Sequence, residues 1–260
     1  MSRILKFLCV AALSLAAVRA EPLPAAADLL KRVQTRLEQI AAESETNRFQ
    51  YKRTNVIEEL DSDGKTKKRS EKTYEVALVH GLPRAKLIAI DGRGLPESEQ
   101  RWRNSEEQKL QRTFTPDKSA DPQKSKPWLT DDLLDRFKFV VAARTNDHGR
   151  AVYIMTFQPR AGAPTKSMVD RIVNNLAGQL WIDAEEAEIA RIDIGMSQPV
   201  KFWGGLLGQL DRFNWTLHRA RSTSGVWFNQ LSTGLFQIRK LLATSRFRVS
   251  EESYDFHPAS

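Results

Sequence analysis

The chain has 260 residues, 40 Lys and Arg against 32 Asp and Glu, and a formal net charge of +8. Because acidic residues are interspersed with basic ones along most of the chain, the composition does not indicate the one-signed face that binds nucleic acid. Cys9 is the only cysteine, which excludes a disulfide framework and a cysteine-ligated zinc site. We therefore expect neither a nucleic-acid partner nor a cofactor.

The N-terminus has the order of a secretory signal peptide. Two basic residues precede an apolar run over residues 7–18, and the small side chain of Ala20 suits a signal peptidase. A retained membrane anchor is the alternative, but Arg19 interrupts the run before it reaches the roughly 20 apolar residues that a span needs. We expect residues 1–20 to be removed as a signal peptide and residues 21–260 to be exported.

The first segment of the exported chain is predicted to be a helix over residues 25–43. Leu30, Val33, Leu37 and Ile40 recur at spacings of three and four, which places them on one face. Charged side chains of both signs separate them, so we expect this face to pack on a sheet in preference to lying on a membrane.

Alternation with a period of two begins at Phe49 and predicts strands. The first two strands form a hairpin that turns at Gly64, and a third strand follows over residues 84–90. Residues 115–127 are then rich in Pro, Lys, Ser and Asp, the composition of a mobile insertion. We expect this insertion to lie within a single domain, because neither half of the chain alone has enough strands to close a core.

The complete pattern comprises about ten strands and three or four helices, two of them short, over residues 131–136 and 167–176. No alternating β-α-β order, which would require a parallel sheet, is present in the pattern. The sequence therefore predicts a β-rich α+β fold over residues 21–260. We expect a curved antiparallel sheet or an unclosed β-barrel with helices packed on its concave side.

Candidate catalytic and metal-binding residues form no recognisable pattern. The four histidines, at positions 80, 148, 218 and 257, are not paired at the spacing of metal ligands on a helix. Gly195 begins a Gly-x-Ser sequence that lacks the final glycine of a nucleophile elbow. Adjacent acids such as Glu58 and Glu59 point to opposite faces of a strand. We therefore expect a noncatalytic protein without a metal site.

Large apolar side chains in the C-terminal half are the remaining candidates for a binding site. Trp181 and Trp215 lie on predicted strands, where they could line an apolar ligand site or simply fill the core. The segment Phe202–Gly208 mixes apolar side chains with three glycines, so we expect a flexible apolar lip that touches lipid or opens a cavity. The candidate ligand-binding residues are Trp203, Leu206, Phe202, Leu207, Trp181 and Trp215.

Three stretches of the exported chain carry a family resemblance. They are the N-terminal helix, the Phe49–Val79 hairpin with Tyr51-Lys52-Arg53-Thr54, and the segment Leu176–Asp183. Together they resemble the outer-membrane lipoprotein-sorting (LolA-like) family and exported bacterial proteins placed near it. The resemblance implies an unclosed β-barrel with a helical lid around a hydrophobic cavity, which handles lipid or lipoprotein acyl chains in the periplasm.

These observations lead to two functional hypotheses. The first is a noncatalytic periplasmic carrier or sensor of lipid, lipoprotein acyl chains or a similar apolar ligand, with transient membrane contact. The second is a structural or protein-interaction module of the cell envelope whose apolar interior is filled by its own side chains. The two differ in one physical respect, which is whether the space between the helices and the sheet is open.

Overall fold

The computed structural model describes residues 22–43, 49–79, 82–102, 105, 129–202, 208–241 and 243–258. The expected signal peptide, residues 1–20, and the expected insertion, residues 115–127, lie outside these ranges. Within the described ranges, no helix has both the length and the apolar character needed to cross a membrane.

Helices and strands follow the order that the sequence patterns predict. The helices are α1 (Ala26–Glu43), α2 (Asp131–Asp135) and α3 (Met168–Val173). The strands of the first half are β1 (Phe49–Leu60), β2 (Thr66–Val79), β3 (Leu82–Ile90) and β4 (Arg93–Gly94). Those of the second half are β5 (Phe137–Asp147), β6 (Arg150–Pro159), β7 (Leu176–Asp183), β8 (Ile189–Met196), β9 (Val200–Phe202), β10 (Gly208–Arg221), β11 (Trp227–Lys240) and β12 (Ala243–Pro258).

All twelve strands belong to one antiparallel sheet. Its order is β4-β3-β2-β1-β12-β11-β10-β8-β7-β6-β5, and β9 pairs with β10 beside this path. β1 pairs along its length with β12, so the first and last described strands are neighbours at the centre of the sheet. β4 and β5 occupy its two ends and do not pair with each other. The predicted β-rich α+β class, with an antiparallel sheet that does not close, is confirmed.

The main core lies between the helices and the second half of the sheet. Leu29 and Val33 of α1 pack there against Met155 on β6 and Ile182 on β7, and all four side chains are almost completely buried. A smaller cluster, around Val76, covers the β2–β3 part of the sheet. α1, α2 and α3 therefore pack on one face of the sheet, as the sequence predicts, over its β5–β10 half; residues 97–102, after β4, are also helical.

α3 is shorter than its predicted range of residues 167–176. Ser167 caps it: the Ser167 hydroxyl accepts a hydrogen bond from the Asp170 backbone N–H, and the Asp170 carboxylate accepts one from the Ser167 backbone N–H. The helix ends at Val173, with Asn174 as its C-cap, and β7 begins at Leu176. Leu176 therefore acts as a strand residue, although its spacing from Ile172 fits a helical face.

The two ends of the predicted flexible lip are held in strands. Phe202 belongs to β9 and pairs with Gly208, the first residue of β10. Gly208 has a φ of +133°, and a Cβ there would lie 2.8 Å from the carbonyl oxygen of Arg239. This glycine is thus required by its backbone conformation and close contact, which corrects the interpretation that it provides flexibility. Trp203, Leu206 and Leu207 lie outside the described residues.

Gly178 on β7 is required by a close contact in the main core. It pairs with Phe157 on β6 and with Ile194 on β8. A Cβ at this position would collide with the backbone carbonyl oxygen of Asp193 and would lie 3.0 Å from Cζ of Phe157. The absence of a side chain therefore lets the Phe157 ring lie over the strand.

Replacing Gly178 with Ala should destabilise the protein by about 1–3 kcal/mol, because neither the strand backbone nor the packed Phe157 ring can move away freely. Gly94→Ala is the matched control, since nothing lies within 4 Å of a Cβ built there. Urea unfolding followed by tryptophan fluorescence measures both free energies of unfolding. Equal stabilities for the two variants would contradict the close packing described for Gly178.

Candidate functional site

An apolar cavity of about 590 Å³ lies between the helices and the β5–β10 half of the sheet. Seventeen described residues line it, and only two of them, Arg219 and Asn229, are charged or polar residues. The apolar lining consists of Leu37, Ile40, Leu129, Leu133, Phe137, Phe139, Phe157, Val173, Leu176, Leu180, Ile189, Ile192, Ile194, Trp215 and Leu217. This volume lies within the range of about 300–1,000 Å³ that is typical of small-molecule sites.

Strand periodicity builds the floor of the cavity. Ile192 and Ile194 are two residues apart on β8, and Trp215 and Leu217 are two apart on β10. Alternate residues of a strand point to the same face, and the pairing places Trp215 opposite Ile194 and Leu217 opposite Ile192. The floor is therefore a continuous row of branched and aromatic side chains across neighbouring strands.

α1 forms part of the roof and changes its role along its length. Leu29, Leu30 and Val33, in its first turns, are buried in the core. Leu37 and Ile40, which continue the same stripe, are only partly buried and line the cavity. One amphipathic face thus packs on the sheet at its N-terminal end and covers open space at its C-terminal end.

A buried carboxylate attaches this roof to the sheet. The side chain of Glu188 is 2% exposed, and it lies in the turn between β7 and β8. Its Oε1 accepts a hydrogen bond from Arg36 Nε of α1 at 3.0 Å, and its Oε2 accepts one from Arg219 Nη1 of β10 at 2.7 Å. Glu188 therefore bridges the helix above the cavity and a strand below it.

Other acids of the same turn hold further arginines. Asp183, 1% exposed, accepts a hydrogen bond from Arg150 of β6, with Nη2 and Oδ1 3.0 Å apart. Burial would raise the pKa of Asp183, but the hydrogen bonds from Arg150 and from two backbone N–H groups of the turn outweigh it and lower that pKa below its usual value. Arg32 of α1 donates to the carbonyl oxygen of Ala184 at 2.9 Å. The turn is thus a rigid acidic anchor for α1.

Glu186 extends the anchor to β11. It accepts hydrogen bonds from the indole N–H of Trp227 and from Arg221. Burial acts to raise the pKa of Glu186, yet these two donors and the nearby Arg150 lower it overall. Asp183 and Glu186 therefore stay ionised at neutral pH, and the anchor formed by residues 183–188 joins strands on both sides of the cavity.

Two more polar contacts fix the far side of the roof. Gln34 of α1 donates to Asp131 Oδ1 of α2 at 3.0 Å. Arg136, at the end of α2, forms an ion pair with Asp170 of α3 at 2.8 Å. The three helices are therefore connected to one another by polar contacts at the rim, and these contacts leave the apolar interior free.

The structure separates the candidate residues that the sequence placed together. Trp215 lines the cavity, and its Nε1 donates to Ser232 Oγ at 2.8 Å. Trp181 is on the opposite face of β7 from Leu180, where the guanidinium of Arg191 lies 4.5 Å from its ring centroid. Phe202 is half-buried on β9 and is not part of the cavity lining.

Sequence reasoning did not find the acidic anchor. Four acids occur within residues 183–188, and this density inside an otherwise apolar block was the available signal. These acids form an anchor only through arginines that come from α1, β6 and β10. Among the described residues, no group of three or more His, Cys, Asp or Glu side chains is arranged to hold a metal ion.

Replacing Glu188 with Gln should lower the free energy of unfolding by about 3 kcal/mol, because the charges of Arg36 and Arg219 would lose their buried partner. Glu185→Gln in the same turn is the control. The Glu185 side chain is 84% exposed and 3.6 Å from Arg150, so this change should cost less than about 0.5 kcal/mol. Urea unfolding measures both values. If the two variants were equally stable, Glu188 would not be an anchor.

Comparison with known proteins finds likeness in overall structure alone. No family model matches the chain, and no curated protein matches it by sequence. A LolA superfamily protein from Nitrosomonas europaea shares 10% identity, with 88% of this chain and 94% of that chain covered and a TM-score of 0.28. A domain named for outer membrane lipoprotein sorting, from Vibrio parahaemolyticus, shares 8% identity over 89% and 94% of the two chains, with a TM-score of 0.28.

A chain of the Pseudomonas aeruginosa MucA/MucB complex also matches. It shares 11% identity, covers 88% of this chain and 99% of its own, and has a TM-score of 0.26. The matched structures thus include the lipoprotein-sorting proteins that the sequence resembles. Because identities and TM-scores are this low, the matches carry no argument about what this chain binds.

Proposed function

We propose that the chain is a noncatalytic binding protein for lipid-like ligands, a carrier or sensor that works in the bacterial periplasm after export. The observation that carries the proposal is the cavity of about 590 Å³ with fifteen apolar side chains among the seventeen that line it. An apolar chain that enters this space leaves water and gains roughly 25 cal/mol for each Å² of apolar surface buried. Binding by this lining is therefore driven by the hydrophobic effect.

The size of the cavity is the main argument against a packing defect. Native cores contain few voids larger than a water molecule. The cavity is partly open to solvent, so its apolar walls contact water when no ligand fills it. A ligand that fills the space removes this apolar surface from water.

The lining supports binding in preference to chemistry. Its fifteen apolar side chains offer no acid, base or nucleophile, and the indole N–H of Trp215 is already hydrogen-bonded to Ser232. Arg219 is engaged by Glu188. Such a lining can enclose an apolar ligand and exclude water from it, as a carrier or sensor requires.

We assign Trp215 to the ligand contact on the cavity floor. The lip residues Trp203, Leu206 and Leu207, with Phe202 at their start, remain proposed contacts with an acyl chain or a bilayer surface. Their support is positional: β9, which leads into the lip, packs against α3, and Val173 of α3 lines the cavity. A lip in this place would lie beside one end of the apolar space.

Ile194→Trp tests the proposal by filling the cavity. The larger ring should occupy the space beside Trp215 and weaken the binding of a fluorescent fatty-acid analogue at least about tenfold, a change of about 1.4 kcal/mol. The probe's fluorescence titration gives the Kd, and circular dichroism checks that the variant is folded.

Val140→Trp is the matched control. Val140 is 47% exposed on β5 and does not line the cavity, so its replacement should leave the Kd unchanged. A wild-type protein that does not bind the probe, or two variants with the same Kd as the wild type, would overturn the proposal.

A further inference from the structure

A second cavity, of about 490 Å³, adjoins the apolar one. Arg219 and Asn229 line both cavities, so the two spaces meet at these side chains. The second cavity lies at the junction of β1, β10, β11 and β12. We call it the vestibule. It is lined by Tyr51, Arg53, Arg219, Ser222, Thr223, Ser224, Val226, Trp227, Phe228, Asn229, Glu251, Ser253, Phe256 and His257.

The chemistry of the vestibule differs from that of the apolar cavity. One wall is aromatic: the rings of Tyr51 and Phe256 stack with centroids 4.6 Å apart, and the Phe228 ring lies 3.7 Å from Phe256. The rest is rich in hydrogen-bond donors, with two guanidinium groups, four hydroxyl side chains, an amide and an imidazole. Glu251 is the only carboxylate among the described residues that line it.

Arg53 is the donor in the vestibule that the protein does not satisfy. Its side chain is 23% exposed, and its Nε atom is buried without a hydrogen-bond partner among the described residues. Glu251 forms an ion pair with it, with Oε2 3.7 Å from Nε, which is beyond hydrogen-bond distance. The guanidinium also lies over the ring of Tyr74, 5.3 Å from its centroid, which holds it in place. Because Nε has almost no accessible surface, an anionic group in the vestibule would contact the exposed 23% of the side chain.

Arg219 lies between the two spaces, and its guanidinium is already hydrogen-bonded within the protein. It donates to Glu188 and to the carbonyl oxygen of Ile189 at 3.1 Å, so its charge is compensated by the protein. The other positive group of the vestibule is Arg53, whose ion pair with Glu251 is longer, at 3.7 Å, and the apolar space lies on the other side of Arg219. This arrangement is that of a site for a molecule with one charged end and one apolar end.

We infer that the ligand is an amphiphile with a single acyl chain and an anionic headgroup, its chain in the apolar cavity and its headgroup beside Arg53. The inference rests on the proposed function and specifies the ligand. A cavity of about 150 Å³ holds one benzene ring, so a volume of about 590 Å³ has room for roughly two dozen carbon atoms. That is sufficient for one long acyl chain.

The test compares oleate, its neutral glycerol ester monoolein, and acetate as displacers of the fluorescent fatty-acid analogue. Wild-type protein should bind oleate about tenfold or more tightly than monoolein, because a charge-assisted hydrogen bond to Arg53 is available only to the carboxylate. Acetate should not displace the probe, since the headgroup alone lacks the apolar contribution.

Two substitutions change the headgroup site in opposite directions. Arg53→Gln should remove the preference for oleate over monoolein, whereas Lys138→Gln, the same change in net charge at an exposed position on β5, should leave it intact. Glu251→Gln should raise the affinity for oleate several-fold and leave that for monoolein unchanged, because it removes the only carboxylate near the headgroup. A gain of affinity cannot result from unfolding.

The outcomes separate the two proposals. Equal binding of oleate and monoolein by the wild type, with both lost in Ile194→Trp, would overturn the headgroup inference and leave the proposed function standing. Unchanged oleate preference in Arg53→Gln would overturn it as well. If no displacer and no probe binds the wild type, both proposals fail.

Discussion

The fold depends on one buried carboxylate. Glu188 lies between Arg36 of α1 and Arg219 of β10, with both oxygens hydrogen-bonded at 3.0 and 2.7 Å. A buried charge needs both of its partners, because the loss of either one leaves an uncompensated charge. This interaction fixes how far α1 can approach the sheet. The helix is held at the height where Leu29 and Val33 pack, and Leu37 and Ile40 then face space that no described side chain fills.

Polar contacts fix the helices at the rim of the site, and apolar side chains line its interior. Gln34 binds α1 to Asp131, and Arg136 binds α2 to Asp170, so the helices are fixed without filling the interior. Hydrophobic collapse would otherwise close such a space. Arg219 belongs to both parts, since it completes the anchor at Glu188 and forms the boundary with the vestibule. Arg219 thus takes part both in the anchor and in the lining of the two cavities.

Local periodicity explains what the sequence could predict. The three-and-four spacing of α1 and the alternation of β1 or β6 are set by neighbouring residues, so the helix and the β-rich class could be identified. The anchor could not be, because Arg36 and Glu188 are 152 residues apart. Trp181 and Trp215 show the same limit. Both are strand tryptophans, but the face of each depends on register, and a shift of one residue exchanges the faces. Only Trp215 lines the cavity.

The central claim is that the space under α1 holds an apolar ligand. Native mass spectrometry of the full-length chain, expressed for export in a bacterial host and purified without detergent, tests it directly. The account predicts a population heavier than the bare polypeptide by the mass of one small amphiphile, which collisional activation releases and which is absent from Ile194→Trp. A wild-type spectrum with the bare polypeptide mass alone would contradict the account and favour an interaction module whose interior is filled by its own chain.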